Sequence, residues 1–304
     1  MSSWGATGVG NFVPTRYTKP HPAIEPSSVN FPDPSVVCII GASRGIGAGI
    51  AYAYAKAGAT GLVLSSRRLS GLQETASRCK EINPDLKIEI ILCDISSNDD
   101  VAALAVKIKS TFGRLDIAVV NSGYSGPVVL KVGEDDPDTV RKVTDINYLG
   151  TYYAAHHLVP LLLQSPPTSN CTKAFLAVGS TAAAVVRGPI ANTQYCISKL
   201  AQLKLIEHIH EQYKDQGLLA VAVHPGAVKT EMAMDSAPEA FMQYLVDDPA
   251  LCGAFMVWLT KPRQEKRLDW LGGRHLEAKW DVDELEGRKE DVVKGELLKT
   301  KIVV

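Results

Sequence analysis

The chain predicts an α/β fold: a doubly wound, mostly parallel sheet with helices on both faces, in a single domain with a small helical lid. Three observations lead there. Short runs, four or more of them apolar on both faces, alternate with longer segments of helical periodicity from Val36 to Val223, as in strands buried on both faces by crossover helices. The first run passes directly into the turn Gly41-Ala42-Ser43-Arg44-Gly45-Ile46-Gly47 and then an Ala-rich segment. No internal repeat or polar linker divides the 304 residues.

Taken in order, residues 1–35 hold Pro14, Pro20, Pro22, Pro26, Pro32 and Pro34, which oppose a regular helix or central strand. They read as an extended arm lying over the body, or as partly disordered. Val36, Val37, Cys38, Ile39 and Ile40 form the first strand. Gly45 to Lys56 is a helix whose Ile46, Ile50, Ala53 and Tyr54 share a side, stopped by Gly58. Strand 61–65, helix 69–82 ending near Pro84, and strand 87–92 follow. Ser97-Asn98-Asp99-Asp100 caps a helix over 101–112. Strand 116–120 precedes one long helix over 137–163, ended by Pro166 and Pro167, and then strand 174–178. Helix 195–213 and strand 218–223 complete the regular alternation, and right-handed crossovers place ligands at the carboxyl ends of the strands. Beyond Thr230 the pattern loosens into a lid at about 231–248 with Met232, Met234, Phe241 and Met242, a helix over 249–259, and a last edge strand over 275–278. The catalytic unit is then 36–280, and 281–304 is a charged tail that forms a surface helix or frays.

Composition excludes several classes. Lys and Arg number 32 against 33 Asp and Glu, so no charge excess points to nucleic acid or an anionic membrane. There is no 18-residue apolar run, and Met1-Ser2-Ser3-Trp4-Gly5 lacks the basic-then-apolar pattern of a secretory signal. Six scattered cysteines without a CxxC pair read as reduced thiols of a cytoplasmic protein, with no metal site.

Two constellations carry chemistry. A strand, a turn without Cβ atoms and a helix start together bring backbone N–H groups to a pyrophosphate. The second is Tyr195-Cys196-Ile197-Ser198-Lys199: Tyr195 and Lys199 are four apart and share a helix face. A phenol is a poor acid or base near neutrality, and an adjacent ammonium favours its phenolate. Ser180, just after strand 174–178, sits where a hydroxyl steadies a substrate oxygen; Thr181 is the competing hydroxyl.

These motifs resemble the short-chain dehydrogenase/reductase family, its fungal members above all, over roughly 35–230. The resemblance implies a Rossmann-like fold and an active-site tetrad of Asn147, Ser180, Tyr195 and Lys199. Asn147 would hold a water through a local helix distortion and complete a proton path with Lys199. Departures are Ile40 before Gly41 where the family has Thr, Val120-Asn121-Ser122-Gly123 for Asn-Asn-Ala-Gly, a longer loop between Ser180 and Tyr195, and His224 for the commoner Asn before Pro225-Gly226. Asp94 stands at the adenine side, and Val228 and Thr230 at the nicotinamide carboxamide. Ser65-Ser66-Arg67-Arg68 lies where an acidic residue would hold a free ribose hydroxyl. With Arg44, Arg67 favours a 2′-phosphate and hence NADP(H) over NAD(H).

The cofactor-binding set is therefore Gly41, Ser43, Arg44, Gly45, Ile46, Gly47, Ser66, Arg67, Asp94, Ile95, Asn121, Gly123, Tyr195, Lys199, Pro225, Gly226, Val228 and Thr230. The implied activity is NADPH-dependent hydride transfer between the nicotinamide and a medium-sized carbonyl or alcohol substrate, in fungal secondary metabolism, by a homodimer or homotetramer. An NADP(H)-binding isomerase, dehydratase or cyclase on the same scaffold is the alternative reading, and a dinucleotide-sensing structural protein a remoter one.

Overall fold

The structure, a computed structural model, describes residues 11–166, 172–262 and 268–302. Pro167, Cys171, the first ten residues of the arm and the last two of the tail lie outside the described residues.

Seven strands form one sheet in the order β3-β2-β1-β4-β5-β6-β7, every neighbouring pair parallel. They are β1 (Val36–Ile40), β2 (Gly61–Ser66), β3 (Lys87–Leu92), β4 (Ile117–Val120), β5 (Lys173–Val178), β6 (Leu218–His224) and β7 (His275–Glu277). Successive side chains of a strand point to opposite faces, and the core divides accordingly. Val37 and Ile39 join one cluster with Ile50, Leu64, Val119, Leu176 and Phe255. Cys38 and Ile40 join the other with Val63, Val120, Phe175, Leu158 and Ile206. Asp116 stands just outside β4, because its Oδ2 accepts from Val36 N at 2.8 Å and from Arg114 Nε at 2.9 Å.

The helices α1 (Gly45–Lys56), α2 (Leu69–Ile82) and α3 (Asn98–Phe112) follow the first three strands. Helix α1 crosses α9 (Pro249–Thr260) at very close range: a Cβ on Gly49 would fall 2.4 Å from Pro249 O, and one on Gly253 2.7 Å from Gly49 O. Small residues at both positions let the backbones meet. Between these lie α6 (Thr193–Tyr213) and the short lid helices α7 (Glu231–Ser236) and α8 (Glu239–Met242). No described helix is long and apolar enough to cross a membrane.

Three expectations need correction. The helix over 137–163 is not continuous: α4 (Pro137–Thr144) and α5 (Gly150–Gln164) are joined by a π-turn at Asp145–Leu149. The described part of the arm does lie over the body, burying Val13, Ile24 and Phe31 in the core, but it is neither disordered nor extended throughout, since it makes 3₁₀ turns at Pro22–Ile24 and Pro26–Ser28. The tail does not fray in its described part. It folds as α10 (Val282–Gly287) and α11 (Lys289–Lys294) with Val282, Leu285 and Val292 buried. Arm and tail are also tied to each other, through Thr15 to Glu284 at 2.6 Å and Asp281 N to Thr15 O at 3.0 Å. The backbone N–H of His275 donates to Leu298 O at 2.8 Å, so the tail also covers the β7 edge.

Candidate active site

The carboxyl ends of β1, β4, β5 and β6 lie side by side along one edge of the parallel sheet. Helix α6 carries Tyr195 and Lys199, one turn apart as their spacing requires. Lys199 is 3% exposed; its Nζ donates to Val178 O at 2.9 Å and to Gln202 Oε1 at 3.0 Å. Burial draws its pKa down to about 8. The same ammonium lies 5.9 Å from the Tyr195 ring centroid. Burial pushes the Tyr195 phenol above its ordinary pKa, and the nearby Ser180 hydroxyl works the other way.

Ser180 caps the 3₁₀ turn Thr181–Ala184 by accepting from Ala182 N at 3.1 Å. Thr181 instead offers its backbone N–H to His224 Nδ1 at 3.4 Å. Of the two candidate hydroxyls, that of Ser180 is the one that acts on the Tyr195 phenol. His224 has its pKa lowered to about 3 by burial and by the neighbouring His275, and stays neutral.

Asn147 lies in the π-turn, fully buried. Its Oδ1 accepts from Tyr124 N at 2.9 Å, and its Nδ2 donates to Tyr124 O at 2.8 Å and Ser198 Oγ at 2.9 Å. The side chain therefore pins the loop after β4 to α6. Its backbone carbonyl accepts from Thr151 Oγ1 at 2.7 Å and from Gln202 Nε2 at 3.3 Å. The connection that the resemblance assigns to a water is thus spanned by the Gln202 carboxamide.

The glycine turn fits a dinucleotide on geometric grounds. Gly41 and Gly45 have φ of +94° and +55°, the left-handed region that disfavours a side chain. A Cβ on Gly47 would fall 2.0 Å from Gly41 O. Asn121 Nδ2 donates to that same carbonyl at 2.8 Å, holding the turn against the end of β4. The N-cap residue Arg44 makes no side-chain cap on α1, which leaves first-turn N–H groups free to meet an anion. Ser43 is half-buried beside Arg44, and Ser66 Oγ accepts from Arg68 N at 3.1 Å.

Asp94 accepts from Ser96 N and Oγ at 3.0 and 2.7 Å. Burial opposes its ionisation, but these bonds and Arg67 outweigh it and hold the carboxyl below its usual range. Ile95 is buried against Gly150, and Gly123 lies where a Cβ would be 3.8 Å from Lys199 Nζ. After β6, Pro225-Gly226 turns with Gly226 at φ +93°, and a Cβ there would meet Asp247 Oδ2 at 2.6 Å. Val228 pairs in a single bridge with Asp247. Thr230 caps α7 and its Cγ2 would lie 3.3 Å from a Cβ on Gly45, so the lid starts beside the glycine turn.

The model of the short chain dehydrogenase family matches residues 35–240. The chain belongs to that family. Among fungal relatives, the short chain dehydrogenase pgmD of Aspergillus terreus is 36% identical over 310 residues, covering 99% of this chain and 96% of its own. The short chain dehydrogenase mpl6 of Monascus purpureus is 38% identical over 88% of each chain. A short chain dehydrogenase of Shigella flexneri 2a, crystallised as a complex with NADP, superposes with a TM-score of 0.70 at 26% identity, covering 82% of this chain and 98% of its own. The chain is thus an oxidoreductase by family, with the Rossmann-like sheet of its solved neighbours.

Two features of this dehydrogenase escape sequence reasoning. Arg44 and Arg68 both close on the carboxylate of Glu231, Arg68 at 3.4 Å, whereas Arg67 turns away to Asp94 at 3.5 Å. Glu231 at the start of the lid thus gathers the two guanidinium groups beside the first turn of α1. Gln202 is the other, and a polar residue three positions after Lys199 on a helix gives no sign of being fully buried.

Proposed function

We propose that this short-chain dehydrogenase is an NADPH-dependent ketoreductase or alcohol dehydrogenase for a medium-sized carbonyl or alcohol, serving fungal secondary metabolism. The observation that carries this reading is the meeting of Tyr195 with Ser180 on one side and the buried Lys199 on the other. When bound, the nicotinamide supplies a hydride to the carbonyl carbon, or takes it back from the alcohol. Tyr195 gives its phenolic proton to the carbonyl oxygen, and Ser180 donates a hydrogen bond to that oxygen as it gains charge. The positive charge of Lys199 favours the phenolate left behind, against the burial that disfavours it. In the oxidative direction the same phenolate takes the proton.

Arg44 and Arg68 support the 2′-phosphate of NADPH, since guanidinium forks match phosphate geometry; the NADP complex of the Shigella flexneri relative agrees with that choice. Exposed Tyr152 on α5 and Ile197 and Leu200 on α6 support a homodimer or homotetramer built on these helices. The five described cysteines are all free thiols, in keeping with a reducing, cytoplasmic setting.

Turnover of a panel of ketones and alcohols, followed by cofactor absorbance and by product analysis, tests this reading. Tyr195→Phe should keep NADPH binding and lose about 10²–10⁴-fold in kcat. Undiminished turnover in Y195F would overturn the assignment, and product formed without net change in cofactor absorbance would favour a non-redox reaction.

A further inference from the structure

Lys199 sits at the junction of three elements, and its surroundings are made of neutral dipoles. Besides Val178 O at the end of β5, its ammonium has one side-chain acceptor among the described residues, Gln202 Oε1 at 3.0 Å. Gln202 is 0% exposed and every part of its carboxamide is engaged. The Nε2 donates to Thr151 Oγ1 at 2.8 Å on α5 and to Asn147 O at 3.3 Å in the π-turn. Those two groups also bond each other, at 2.7 Å. An amide with both donors committed cannot rotate, so its oxygen is aimed at Lys199 by residues about fifty positions away in sequence.

We propose that Gln202 is a positioning residue of the reaction: it clamps the Lys199 ammonium to the π-turn carbonyl of Asn147 and, as a neutral acceptor, sets how long that lysine stays charged. This rests on the reading of Tyr195 and Lys199 as the acid–base pair. The groups facing Lys199 are Tyr195 on its own helix, His224 at the end of β6, and the amides just named. His224 is neutral near pH 7, and burial is what draws the lysine down to about 8. A neutral oxygen holds the ammonium in place without lending it the full counter-charge of a carboxylate. The lysine is therefore ready to lose its proton close to physiological pH.

The test titrates Lys199 directly in the full-length protein, by NMR of ¹³C-labelled lysine, its resonance identified as the one missing from Lys199→Met. Gln202→Glu should raise the Lys199 midpoint by about 1–3 pH units, the range for an opposite charge at contact distance. Gln202→Met, which removes the acceptor at similar volume, should lower it. The alkaline limb of kcat for carbonyl reduction should move in the same direction in each variant. If neither variant folds, Thr151→Val frees one amide donor of Gln202 without changing charge and should shift the midpoint and lower kcat. A Lys199 midpoint that stays put in every folded variant overturns the clamp, and a midpoint that moves while the kcat profile does not overturns its part in the reaction. Full turnover in Tyr195→Phe would sink the acid–base reading itself, an outcome separable from either of these because the titration is read without substrate.

Discussion

Arg67 and Arg68 are neighbours in the chain and part company in space. Adjacent residues leaving a strand point to opposite sides, so only one can face the glycine turn. It is Arg68 that shares Glu231 with Arg44, while Arg67 serves Asp94 at the sheet edge. Arg68→Ser should therefore weaken NADPH binding by about 10–100-fold, the worth of a charge-assisted hydrogen bond of about 1.5–3 kcal/mol, and leave NADH binding nearly unchanged. Arg67→Ser should cost less; fluorescence titration with both cofactors checks the pair. Tyr195 and Lys199 were legible in the sequence because their relation is local, one helical turn. The choice between two arginines was not, because it depends on where β2 ends relative to a lid more than 160 residues away.

Helix and strand identities follow local periodicity and were read nearly as the structure has them. What periodicity does not register is the π-turn at Asp145–Leu149, which inserts extra backbone into an unbroken apolar pattern. Nor does it register the burial of the tail. The acidic and basic residues of 281–304 mask three apolar positions, Val282, Leu285 and Val292, each at or below 1% exposed. Since Leu285 belongs to the same core as the sheet, Leu285→Ala should cost about 2–5 kcal/mol in chemical denaturation, where a surface or frayed helix would lose almost nothing.

The molecule as a whole is closed at one edge by long-range contacts: arm to tail, tail to β7, and Lys279 to Asp247 at 2.7 Å. His275 lies inside that edge, 8% exposed, with both ring nitrogens lacking a hydrogen-bond partner among the described residues. Burial lowers its pKa to about 4 from an ordinary value of about 6.5. Between these two values the unfolded chain binds a proton that the folded one does not. Stability is thus fully present above about pH 6.5 and is lost as pH falls towards 4, by on the order of 3 kcal/mol for this group. His275→Leu should flatten the acid side of the stability curve over that window, measured by denaturant unfolding at several pH values. An unchanged acid slope would place the sensitivity elsewhere.

Alternating apolar runs and helical segments sufficed for the parallel sheet, and residue spacing sufficed for the glycine turn and for Tyr195 and Lys199 one helical turn apart, because each depends on residues within a few positions of one another. Gln202 beneath Lys199, Arg68 rather than Arg67 beside Arg44 at Glu231, and the arm and tail folded into the core join residues from about fifty to more than 260 positions apart. Such contacts exist only once helices have packed at particular distances and angles, and polar residues that look like solvated surface become buried partners when they do.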